Sequence, residues 1–131
     1  MSRRPSLLRN EAGTAVIEFA IALPVLILLI WGIFQVGIAF QANAGMQNAL
    51  GEGARLATLY PKRSNTEIVA KINDKVFGTG IGTFAVTPIV DGTDYKDLKV
   101  SFTMTPNFLF FNGPRVTLVR EKRVYTAQAP T

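Results

Sequence analysis

The chain has 131 residues and a net charge of +5, with neither cysteine nor histidine. Their absence removes a disulfide framework, a thiolate metal site, the commonest general base and the commonest zinc ligand, so neither an enzyme nor a cofactor is expected. Once the apolar N-terminal stretch is set aside, about 90 residues remain, enough for one small and marginal core.

Arg3, Arg4 and Arg9 precede an apolar run of 26 residues, Ala15 to Phe40, in which Glu18 is the single charged side chain. As a helix this run would span roughly 39 Å, more than a hydrocarbon core of about 30 Å. The apolar core of a cleavable signal peptide has only about 7–15 residues, so a helix that crosses a membrane is expected instead. Arginines cluster before the run, which puts the N-terminus in the cytoplasm and everything after about residue 41 outside. Glu18 costs roughly 2.5–3.5 kcal/mol at a bilayer centre and less near the interface, where it either snorkels or meets a cation. Pro24 lacks a backbone N–H and crowds the carbonyl of Ala20, so a bend is expected there. Ala42-Asn-Ala44 has the small-x-small form of a signal peptidase site. Cutting before Gly45 would release a secreted binding domain, a reading that the length of the apolar run opposes.

From Gln41 to Tyr60 nothing breaks the helix, and Pro61 is a natural stop, so one helix is expected from about Ala15 to Leu59. Ala42, Gly45, Ala49 and Gly53 line one face of it, a stripe that lets another helix approach closely. Gly45, Gly51 and Gly53 each cost about 1 kcal/mol against alanine in a helix interior. Ser64-Asn-Thr-Glu67 fits a capping box opening a second helix, with Ile68, Val69, Ile72 and Val76 on one side. That helix should end by Gly78, and Gly78-Thr-Gly-Ile-Gly82 is a connector rather than a phosphate loop, since it follows a helix and no Lys-Ser/Thr adjoins it.

Three strands follow. Thr83 to Val90 leads into Asp91-Gly92, a hairpin signal. Leu98, Val100, Phe102 and Met104 alternate with Lys99, Ser101 and Thr103, and Arg115 to Thr126 forms the third strand. Arg115, Arg120, Lys122 and Arg123 read as a solvated strand face, and no nucleic-acid partner is expected. The whole is an α+β fold: a long N-terminal transmembrane helix running into a small domain with a second helix and a three-stranded antiparallel sheet. Asp91, Asp94 and Asp97 are weak calcium candidates, better explained as turn-forming residues because EF-hand spacing is missing. Pro106 to Pro114 is an apolar loop containing Phe108, Phe110 and Phe111. Folding back onto the core is the expectation; the alternative is a contact patch for a partner subunit.

Gly13-Thr-Ala-Val-Ile-Glu18-Phe19-Ala-Ile-Ala-Leu-Pro24, an apolar run, and then Ala49-x4-Ala54-Arg55-x-Ala57 resemble the TadE-like proteins, minor pseudopilins of tight-adherence (Flp, type IVc) pili. The resemblance covers about residues 9–60. Major Flp pilins begin similarly but are much shorter and usually follow the glutamate with tyrosine, so Phe19 and the chain length favour a minor component. The resemblance implies a cytoplasmic leader, residues 1–13, removed by a prepilin peptidase between Gly13 and Thr14. It implies a transmembrane helix over 14–41 and a periplasmic pilin-like domain over 42–131, in a bacterial inner membrane. Glu18, with Phe19 beside it, would then set register against the terminal ammonium of a neighbouring subunit, and Pro24 would ease transfer from bilayer to filament. The implied partners are other pilins or pseudopilins and the assembly platform, in a hetero-oligomer.

Overall fold

A computed structural model describes residues 11–78 and 80–126 of the chain, with side chains from Gly13 onward. Arg3, Arg4 and Arg9, and the leader up to Asn10, lie outside the described residues, as does Thr79 in the glycine-rich connector.

Helix α1 runs unbroken from Glu11 to Ala57, through Pro24 and every glycine on the way. Its end is tied locally: the Thr58 N–H donates to the Ala54 carbonyl at 3.2 Å and the Leu59 N–H to the Leu56 carbonyl at 3.3 Å, the tightened last turn that helix ends adopt. Arg55 in that turn complements the helix dipole and pairs with Glu52 at 3.5 Å. Helix α2, Asn65–Lys75, opens as expected on a complete capping box. The Glu67 N–H donates to Ser64 Oγ at 3.2 Å and the Ser64 N–H to Glu67 Oε2 at 3.1 Å, so two otherwise orphaned donors are satisfied reciprocally. Ser64→Ala should lower stability by about 1 kcal/mol. Thermal unfolding checks this, with an expected fall in Tm of roughly 4–8 °C.

The sheet has strand order β1-β2-β5 and is antiparallel throughout, with β1 at Thr83–Asp91, β2 at Tyr95–Met104 and β5 at Val116–Tyr125. The β1–β2 hairpin turns at Gly92-Thr93-Asp94, where the Gly92 N–H donates to the Tyr95 carbonyl at 2.8 Å. The register slips between Thr87 and Val90, around Pro88, which β1 tolerates because it is an edge strand. In β2 the alternation emerges as read: Leu98, Val100, Phe102 and Met104 are all buried against Ile38, Met46, Ala49 and Leu50 of α1. Ile68 and Ile72 close the core from α2. Gly82, with φ at +112°, brings backbone so close to the Phe102 ring that a Cβ there would overlap it.

Two expectations are corrected. The stripe Ala42, Gly45, Ala49 and Gly53 is buried inside the chain itself, so it is not a face for a neighbouring molecule's helix. A Cβ on Gly45 would overlap the Phe77 carbonyl oxygen, and one on Gly53 the Ile72 side chain. The small residues are there because α2 and the segment after it lie directly on α1. The apolar loop does not fold into the core either. It forms a two-stranded ribbon, β3 at Asn107–Phe108 and β4 at Phe111–Asn112, whose tip exposes Leu109, Phe110 and Phe111.

Candidate functional site

Helix α1 has two unlike halves. From Gln35 onward one face is buried under the domain, with Gln35, Ile38 and Ala42 the first covered positions. From Thr14 to Ile27 every side chain is exposed, including Val16, Ile17, Phe19, Ile21 and Val25. This helix is long and apolar enough to cross a membrane. An exposed apolar cylinder of this size fits a covering of lipid or neighbouring helices. Ala15 to Phe34 is twenty residues, about 30 Å as a helix, the thickness of a hydrocarbon core. The remainder of the apolar run, to Phe40, belongs to the domain as much as to the membrane.

Gly13, Thr14 and Glu18 all lie on α1, whose first residue is Glu11. Thr14 and Glu18 are four residues apart and share one helix face. Glu18 is exposed among apolar neighbours and is the single charge between Gly13 and Glu52. A carboxylate in such surroundings favours a cation, and a new N-terminal ammonium at Thr14 would stand one turn away on the same face.

Residues 13–55 match the model of the TadE-like protein family. Over those residues the chain is similar to that family. The match opens on Gly13 and closes on Arg55, covering about a third of the chain: the uncovered half of α1, with Glu18 and Pro24, and the buried stripe beneath α2. The sheet and α2 lie beyond the TadE-like segment. No curated protein and no solved structure matches the chain.

The three aspartates do not converge. Asp91 accepts a hydrogen bond from Lys96 Nζ and another from Asn65 Nδ2, which hold its carboxyl below the usual range, Lys96 contributing most. Asp97 is engaged on the other face of β2 by a two-pronged pairing with Arg123, at 2.8 and 2.9 Å, which likewise lowers its pKa. Among the described residues no group of three His, Cys, Asp or Glu side chains is placed to hold a metal ion. The basic residues of β5 are solvated as read but also tied down: Arg123 lies over the Tyr95 ring at 4.2 Å and Arg120 Nε donates to Asn43 Oδ1 at 2.6 Å.

Two constellations were missed. Lys96 is only 4% exposed, a buried lysine continuing the inward face of β2. Trp31 and Gln35, one helix turn apart, both donate to the Asn107 carbonyl, Trp31 through Nε1 and Gln35 through Nε2 at 2.9 Å, and so clamp β3 to α1. Gln35 also lines an apolar groove of about 600 Å³ between α1 and β3, with Met104, Phe108 and Val116 on its far side. Among the described residues its Oε1, buried there, has no hydrogen-bond partner.

Proposed function

We propose that this chain is a minor pseudopilin of a tight-adherence (Flp, type IVc) pilus system, anchored in a bacterial inner membrane. Its N-terminus would lie in the cytoplasm, as Arg3, Arg4 and Arg9 favour, and its domain in the periplasm. The observation that carries the reading is the uncovered apolar stretch of α1 from Thr14 to Ile27, whose single charge, Glu18, stands one turn after Gly13-Thr14 within the segment that matches the TadE-like model. A prepilin peptidase would cut after Gly13. The freed Thr14 ammonium and Glu18, on adjacent subunits, would then pair at a low-dielectric boundary where each alone is costly. With the small-residue stripe taken up inside the chain, lateral packing against other pilins or pseudopilins falls to the exposed surface between Thr14 and Phe34. The role is assembly, priming or adhesion in a hetero-oligomer with the assembly platform, not catalysis.

The rival is a secreted or merely anchored binding domain unrelated to pili. Its cleavage before Gly45 would cut inside continuous helix and strip Ile38 and Ala42 from the core, which tells against the secreted form.

The test is the intact mass and N-terminal residue of the protein from its native membrane, wild type beside Glu18→Ala. Both should begin at Thr14, and only the wild type should support pili. A chain starting at Gly45, or normal piliation with Glu18→Ala, would sink the assembly role.

A further inference from the structure

The β3–β4 ribbon hangs at the membrane end of the domain. Leu98, early in β2, packs beside Gly53 of α1, while Asn107 meets Trp31 and Gln35. Nine residues of extended chain thus descend about 30 Å, matching some twenty residues of helix. The strand runs down α1 toward the bilayer, and the ribbon is its lowest point. The Phe108 ring lies against Gly32, and the groove below it is lined by Leu28 and Leu29. Those positions fall within the twenty residues from Ala15 to Phe34 that fill a hydrocarbon core.

At that height the ribbon displays apolar side chains outward. Phe110 is 78% exposed and Phe111 61%, with Leu109 beside them. Phe108 and Phe111 stack at 5.2 Å. Several of the ribbon's backbone polar groups are paired: the Asn107 carbonyl takes the Trp31 and Gln35 donors, the Gly113 N–H donates to the Pro106 carbonyl at 2.7 Å and the Phe110 N–H to the Phe108 carbonyl. The open edges of a two-stranded ribbon keep its backbone at headgroup level, so it is the apolar side chains of the tip that reach the acyl chains. Trp31, an aromatic of the sort that marks membrane interfaces, is the residue that holds it. Arg115 stands exposed at the root of the ribbon, where acidic phospholipid headgroups would meet it.

We propose that the β3–β4 tip, Leu109-Phe110-Phe111, is a second membrane contact that enters the outer leaflet beside α1 and fixes the domain's height and orientation on the bilayer. The occupant of this surface is phospholipid. The inference rests on α1 spanning a membrane, and the test separates the two.

The chain lacks cysteine, so one introduced thiol carries one nitroxide label. Full-length Phe110→Cys, Ile27→Cys and Thr93→Cys are labelled and reconstituted in phosphatidylethanolamine/phosphatidylglycerol vesicles. Power-saturation spectroscopy then compares access to oxygen with access to a water-soluble nickel chelate. Positions 27 and 110 should both favour oxygen severalfold over position 93, in the β1–β2 turn, which should favour nickel. Leu109→Cys repeats the reading at a site that leaves both phenylalanines in place. Nickel access at 109 and 110 equal to that at 93, with 27 still shielded, overturns the lipid contact alone. Nickel access at 27 as well overturns the spanning helix and the contact together. A tip that is wet in vesicles but shielded from both reagents in native membranes also overturns lipid, in favour of a protein occupant.

Discussion

Gly45→Ala is expected to destabilise the domain by about 2–3 kcal/mol, although alanine is ordinarily the better helix residue. The methyl group would overlap the Phe77 carbonyl oxygen and sit 3.0 and 3.1 Å from the Phe77 carbonyl carbon and nitrogen. The obstacle is backbone, with no side chain to rotate away, so either α1 or the segment after α2 must shift. That displacement would loosen Ile68 and Ile72, which are fully buried. Gly51 supplies the internal control. It lies in the same helix with nothing within 4 Å of an added Cβ, so Gly51→Ala should stabilise by about 0.5–1 kcal/mol. Thermal unfolding of the full chain in detergent micelles should rank Gly51→Ala above wild type and Gly45→Ala well below it. An unchanged Tm for Gly45→Ala would mean that the segment after α2 does not close the stripe at Gly45, freeing that position for a neighbouring subunit's helix.

The contrast between Gly45 and Gly51 also shows what a sequence can and cannot say about such a stripe. Spacings of three and four among small residues state that some backbone comes close, and they carry no information on whose backbone it is. The β2 pattern was legible because one sheet face is core and the other is solvent, and period-2 alternation records that difference directly. The capping box was legible because it is local, complete within four residues. Lys96 was readable in principle: carrying the alternation of Leu98, Val100 and Phe102 back by two puts residue 96 on the inward face, where a lysine demands a partner. The phenylalanine ribbon failed for a different reason. Hydrophobicity reports that a side chain avoids water, and a protein core and a lipid leaflet satisfy that equally. In the N-terminal helix, Gly13, Glu18 and Pro24 stand out because a glycine, a charge and a proline are conspicuous in an apolar run, whereas Trp31 and Gln35 blend into it until Asn107 is seen opposite them.

Asp91→Ala and Lys96→Met should differ in kind, because the two partners of this ion pair are unequally buried. Lys96 is almost wholly enclosed, while the Asp91 side chain is 50% exposed. Lys96 Nζ donates to both Asp91 Oδ1 and Asn65 Oδ1, and Asn65 Nδ2 donates to Asp91 Oδ2, so the first residue of α2 is tied to the end of β1. Removing Asp91 strands an ammonium group with one neutral acceptor. Breaking a fully buried pair in this way costs about 3–5 kcal/mol, and water reaching the half-exposed carboxylate site should reduce it to about 2 kcal/mol here. Lys96→Met removes the charge that needs a partner and leaves Asp91 facing solvent, so a change within about 1 kcal/mol of wild type is expected. Acid should erase the difference between wild type and Asp91→Ala. The Asp91 carboxyl is held below its usual range, first by the Lys96 hydrogen bond and then by that of Asn65. Its contribution is therefore fully present above the unfolded-state value of about 3.9 and is lost as pH falls through the lower folded-state value. Denaturant unfolding at pH 7 should separate Asp91→Ala from wild type, with the gap closing progressively below about pH 4. A gap that persists unchanged into strong acid would mean that Asp91 holds the hairpin by its shape and hydrogen bonds, with its charge contributing nothing.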